Sequence, residues 1–96
     1  MEKLILKHIN EVSKWLITKN ISSLNCGWTD DNSVYYRLEI NGYAIYIEIF
    51  FVNEDRDDLE DGTETILNIF KDKESKFAYG GTTKECLEHI CSQIKI

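Results

Sequence analysis

Apolar residues recur every three to four positions over residues 2–19. At about 100° per residue, Leu4, Ile5, His8, Ile9, Val12, Trp15 and Leu16 gather on one face. Lys3, Lys7, Glu11, Lys14 and Thr18 take the other side, so the pattern predicts an amphipathic helix. Leu6 and Ile17 fall off the stripe and offer a second packing surface. Asn20 tolerates the left-handed conformation and is placed to end the helix.

Between residues 33 and 52 the period changes to two. Two runs of β-branched and aromatic residues flank Asn41-Gly42, a dipeptide that accepts positive φ at both central positions of a tight hairpin turn. A two-residue turn sets Ile40 opposite Tyr43, Leu38 opposite Ile45, Tyr36 opposite Ile47 and Val34 opposite Ile49. That face is apolar at every position, and Phe51 continues it. The other face pairs Glu39 with Ala44, Arg37 with Tyr46 and Tyr35 with Glu48. Turn and alternation agree on one register, and a slip of one residue would turn the apolar face to water.

The flanking segments carry weaker signals. Residues 21–32 have turn chemistry at Asn25-Cys26-Gly27 and Asp30-Asp31-Asn32, with room for a short strand around Leu24–Trp28. Thr65–Lys71 reads as a further strand, with either Leu67 and Ile69 or Ile66 and Phe70 toward the core. After a charged turn at Asp72–Ser75, Lys76–Tyr79 reads as a short last strand. Residues 83–95 form a second helix. Thr82 and Glu85 have the spacing of a capping box, Leu87, Ile90, Cys91 and Ile94 make its apolar stripe, and Cys86 stands at the edge. Helix, three or four antiparallel strands, helix is an α+β order, α-β-β-β-(β)-α. Two amphipathic helices and one apolar sheet face bury each other as a two-layer sandwich.

Ninety-six residues make one domain, 1–96, and 43% hydrophobic content is ample for a core. The net charge of -6 argues against a mainly electrostatic grip on nucleic acid or on an anionic membrane. Three cysteines, Cys26, Cys86 and Cys91, with no secretory apolar stretch, point to reduced thiols and a cytoplasmic setting. Ile, Lys and Asn, whose codons are AT-rich, are abundant, which suits a low-GC bacterium or a phage or mobile element within one.

Five of the six net negative charges sit in one segment, where Glu54, Asp55, Asp57, Asp58, Glu60 and Asp61 surround Arg56. Calcium binding is a poor fit. With Gly62 as the loop glycine, Leu59 falls at a ligand position and Asn68 where a bidentate Glu belongs. A solvated hairpin loop or a recognition element for a basic partner remains. Cys86, His89 and Cys91 diverge around a helix, so no metal site is expected. Gly80-Gly81-Thr82-Thr83 opens the second helix but lacks the pattern of a P-loop or a dinucleotide site. Neither His8 nor His89 can be given a neighbouring nucleophile or carboxylate, so no catalytic residues and no cofactor are expected. On the outer hairpin face Tyr35, Arg37 and Tyr46 lie with Phe50, Glu39 and Glu48. Aromatics with Arg are residue types enriched at interface centres, although such pairs also stabilise a hairpin on their own.

The α-β-β-β-α order is similar to that of the double-stranded RNA-binding domain. Gly80-Gly81-Thr82-Thr83-Lys84-Glu85 stands where that family has a Gly-containing turn and a basic helix start. The resemblance implies phosphate contacts there. The family uses several lysines, and this chain has Lys84 followed by Glu85 and Glu88. The expected function is therefore a small acidic, non-enzymatic protein-binding or regulatory protein, such as a phage-type or mobile-element inhibitor, that engages a basic protein partner. Its candidate contacts are the six acids of residues 54–61 with Tyr35, Arg37 and Tyr46. A homodimer through the same outer sheet face is a second arrangement. A degenerate RNA-binding module and a small anion- or ligand-binding protein are the alternatives.

Overall fold

The structure, a computed structural model, describes residues 2–21, 23–29, 33–51 and 63–95. The element order is α1 (Glu2–Lys19), β1 (Ser23–Thr29), β2 (Ser33–Ile40), β3 (Tyr43–Phe51), β4 (Thr63–Lys71), β5 (Glu74–Gly81) and α2 (Thr83–Ile94). The strands form one antiparallel meander in chain order, β1-β2-β3-β4-β5. The class is α+β, α-β-β-β-β-β-α, with one more strand than the largest count the alternation suggested. Two added strands also separate it from the three-stranded order of the RNA-binding domain it resembles.

The central hairpin has the expected register. Ile40 pairs with Tyr43, Leu38 with Ile45, Tyr36 with Ile47 and Val34 with Ile49. Asn41 and Gly42 take φ of 51° and 85°, as that turn requires. Strand β4 continues the same inner face: Leu67 pairs with Ile47 and Ile69 with Ile45, and both are buried, while Ile66 and Phe70 face outward. The open choice of facing for this strand is settled by its partner, because paired residues share a face.

Both strand extensions have a physical origin. β5 spans eight residues because Asp72 and Lys73, at φ of 54° and 68°, build a second two-residue turn. Neither residue is a glycine, so the sequence carries no Asn-Gly signal there. β1 spans seven residues because pairing with β2 outweighs the turn-forming composition of Asn25-Cys26-Gly27. The ladder between them is irregular between Ser23 and Asn25.

Helix α1 ends as expected at Asn20, whose φ is 57°; the Asn20 amide donates to Ile17 O and the Ile21 amide to Leu16 O. These two bonds are the Schellman closure of a helix. Helix α2 opens with the expected capping box: the Glu85 amide donates to Thr82 Oγ1 at 3.1 Å and the Thr82 amide to Glu85 Oε1 at 3.0 Å. It packs on β3, β4, β5 and α1. Val12 and Leu16 of α1, the inner sheet face, and Cys86, Leu87, Ile90 and Ile94 of α2 form one core cluster. The positions of the two helical cysteines are the reverse of the stripe read from the sequence. Cys86 is fully buried, and Cys91 is half-buried between the helices. Leu6 and Ile17 are exposed, at 57% and 79%.

Ile47 is fully buried at the centre of the inner face, and Tyr46 beside it is half-buried on the outer face. Ile47→Ala is expected to cost about 2–5 kcal/mol, because transfer energy is lost and a cavity remains. Tyr46→Ala should cost clearly less. Chemical denaturation of the two variants checks this order.

Candidate functional site

Among the described residues no helix covers the outer sheet face. The register places Tyr35, Arg37 and Glu39 of β2, Ala44, Tyr46, Glu48 and Phe50 of β3, and Glu64, Ile66, Asn68 and Phe70 of β4 upon it. Tyr35, Tyr46, Phe50, Ile66 and Phe70 are half-buried there. Tyr35 and Tyr46 stack, with centroids 6.1 Å apart and planes inclined by 18°. The Arg37 guanidinium carbon lies 6.0 Å from the Tyr46 centroid. The Tyr35 ring reaches across β1 over Gly27, its register partner; a Cβ at Gly27 would stand 3.3 Å from the Tyr35 hydroxyl. A side chain at residue 27 would therefore lift the ring, which gives this glycine its role.

Glu48 holds the centre of this face. Tyr46 donates its hydroxyl to Glu48 Oε1 at 2.7 Å, and Ser33 donates to Glu48 Oε2. Burial pushes the Tyr46 phenol up to about 12, with the hydrogen bond to Glu48 and that carboxylate's charge adding to the shift. Tyr46 thus remains a neutral donor at any ordinary pH. Beside it the small Ala44 leaves a cleft of about 380 Å³ with Arg37, Tyr46, Asn68 and Phe70 in its walls. On β2–β4 the face combines flat aromatic surface, one cation and three carboxylates, and Lys76 of β5 stands on the same side.

Of the residues singled out in the sequence, Tyr35, Arg37 and Tyr46 are brought together here. Glu54, Asp55, Asp57, Asp58, Glu60 and Asp61 lie outside the described residues. Their segment joins Phe51 to Thr63, which are register partners at adjacent strand ends.

The cysteines and histidines occupy separate surroundings. Cys86 donates to Thr65 O at 3.5 Å, and burial pushes its thiol up to about 12, so it is an unreactive core residue. His89 packs against the rings of Tyr79 at 4.2 Å and Phe77 at 5.2 Å. Among the described residues no three His, Cys, Asp or Glu side chains converge as metal ligands.

Sequence reasoning missed a polar cluster at one end of the core. His8, only 6% exposed, places Nδ1 2.9 Å from Thr83 Oγ1 and Nε2 3.3 Å from Thr63 Oγ1. Thr83 Oγ1 lies 2.8 Å from Thr65 Oγ1. The cluster ties α1 to β4 and to the first turn of α2. The signal was a histidine on an apolar stripe and Thr65 at the start of a strand whose facing was open; Thr63 was expected in the acidic loop, and β4 begins there instead. Comparison with family models, with curated proteins and with solved structures found no match to this chain.

Two outcomes follow from these contacts. Glu48→Gln removes the charge that holds the Tyr46 proton, so the highest-titrating tyrosine should move down in an ultraviolet pH titration. Burial, the larger cause, keeps it above the ordinary value of 10.0. Thr83→Val leaves His8 and Thr65 each short of a hydroxyl partner. A stability loss of about 1–3 kcal/mol is expected by denaturant melting.

Proposed function

We propose that the protein is a small non-enzymatic regulatory module that binds a basic protein partner through its uncovered outer sheet face and the acidic segment between β3 and β4. The observation that carries this reading is the outer face itself. It is a sheet surface with stacked Tyr35 and Tyr46, a flanking Arg37 and a hydrogen-bonded Glu48, over which the described residues lay no second layer. Aromatic side chains already stacked before binding lose little entropy on contact, which is a property of interface anchors. The carboxylates of β2–β4, Glu39, Glu48 and Glu64, still outnumber Arg37 and the neighbouring Lys76 of β5, and the adjoining segment adds five more net negative charges. A basic surface complements that field, and its approach is accelerated by it. An inhibitor that occupies the basic site of another protein, of the kind carried by phages and mobile elements, fits this size and charge.

The roles divide by physics. Neutralising Asp55, Asp57, Asp58 and Asp61 together should slow association and flatten its salt dependence, with folding nearly untouched. Truncating Tyr35, Arg37 or Tyr46 to Ala should chiefly speed dissociation. The experiment is affinity capture from the source or host lysate with the wild type and both variant sets, followed by surface plasmon resonance on the captured protein. One stoichiometric basic protein, lost with the variants, supports the reading. Co-purified RNA replaces it with the RNA-binding alternative, and a retained small molecule with the ligand-binding one. Unchanged binding by the acidic-segment variant restricts the interface to the sheet face.

A further inference from the structure

The opposite layer carries a second surface with different electrostatics. An odd number of antiparallel strands separates the two helices, so α1 and α2 run in the same direction. Between them lies an open groove of about 400 Å³. Each helix contributes residues at i, i+3, i+4 and i+7: Glu11, Lys14, Trp15 and Thr18 from α1, and Lys84, Leu87, Glu88 and Cys91 from α2. This spacing is one helical stripe on each side. The two stripes run in step. His8 meets Thr83, Glu11 and Lys84 stand together beside that contact, and the parallel helices carry the stripes on to Trp15 and Thr18 on one side and to Leu87 and Cys91 on the other. The floor is apolar, from Trp15, Leu87 and Cys91. The rim holds two acids and two bases, and among the described residues the recorded ion pair is Lys76–Glu74, so these four charges are unpaired within the described chain.

We infer that this helix face is the interface of a reversible homodimer whose two-fold axis runs parallel to the helices. Such an axis lays α1 of one copy over α2 of the other in the same direction. Glu11 then meets Lys84 of the second copy and Lys14 meets Glu88, each pair occurring twice, while Trp15 covers Leu87 on either side of the axis. A two-fold axis across the helices instead sets Lys14 near its own copy and Glu88 near its own copy, which like charges oppose. An isologous interface must complement itself, and a patch with equal acids and bases does so. The outer sheet face, with three acids against Arg37 on β2–β4, does not, so self-association belongs to the helices. This inference stands independently of the partner proposed for the sheet. The patch is two helices wide, the small end of the range of protein interfaces. The dimer population therefore follows concentration.

Sedimentation equilibrium of the full chain, from about 10 μM to about 1 mM at low salt, tests this over the range where a weak interface populates. A monomer–dimer equilibrium is expected. Lys84→Glu should weaken it about tenfold, because two attractive pairs become repulsive. The double variant Glu11→Lys with Lys84→Glu should restore it. Both positions are on helix surfaces, and circular dichroism with a melt confirms folding; Lys76→Glu, which makes the same charge change on the exposed part of β5 away from the rim, is the control for a general charge effect. Tyr46→Ala on the sheet should leave dimerisation unchanged. A monomer throughout the range, a dimer indifferent to Lys84→Glu, or a double variant as weak as the single one each overturns the inference. A dimer abolished by Tyr46→Ala moves self-association to the sheet and overturns it as well.

Discussion

The inner face of the β2–β3 hairpin is the surface on which the rest of the molecule is organised. Val34, Tyr36, Leu38, Ile40, Ile45, Ile47 and Ile49 are all buried, and the Asn41-Gly42 turn holds them in one register. An uninterrupted apolar face of this kind must be covered, and two amphipathic helices cover it. Strand β4 joins by matching Leu67 and Ile69 to Ile47 and Ile45, and Phe77 and Tyr79 of β5 extend the surface under α2.

Covering one face leaves two others open. Among the described residues no layer covers the sheet's outer face, and its aromatic residues are only half-buried. The outer helix surface has a groove because α1 and α2 rest side by side on the sheet, and cylinders meet along a line. The two open surfaces differ in charge: the sheet face is acidic and the helix face balanced. On the proposed reading the sheet takes a partner of opposite charge and the helix face its own copy.

At the α2 N-terminus the structure uses polar chemistry for cohesion. The capping box satisfies helix amides with Thr82 and Glu85, and these bonds hold the Glu85 carboxyl below the usual carboxylate range. Gly81 lies so close to Tyr79 that a Cβ would come within 2.7 Å of its ring. One residue further in, Thr83 meets His8 and Thr65. The glycine-threonine turn that opens α2 is thus accounted for by capping and close packing. Among the described residues no helix is long and apolar enough to cross a membrane.

Periodicity and local chemistry by themselves determined both helices, the hairpin register, the Asn20 terminus and the capping box, because each depends on residues close together in the chain. They also placed Tyr35, Arg37 and Tyr46 on one face, since alternation about a known turn decides that. Tertiary structure alone decided the facing of Leu67 and Ile69, which follows from the strand they join. It decided the full length of β5, because sheet pairing holds Asp72 and Lys73 in left-handed conformations that neither prefers. It exchanged the expected places of Cys86 and Cys91, because the angle at which α2 meets the sheet fixes which side of its stripe is covered. It assembled His8 with Thr63, Thr65 and Thr83 across separations of 55 and 75 residues. No local pattern reports such contacts, since they exist only where separate elements are packed together.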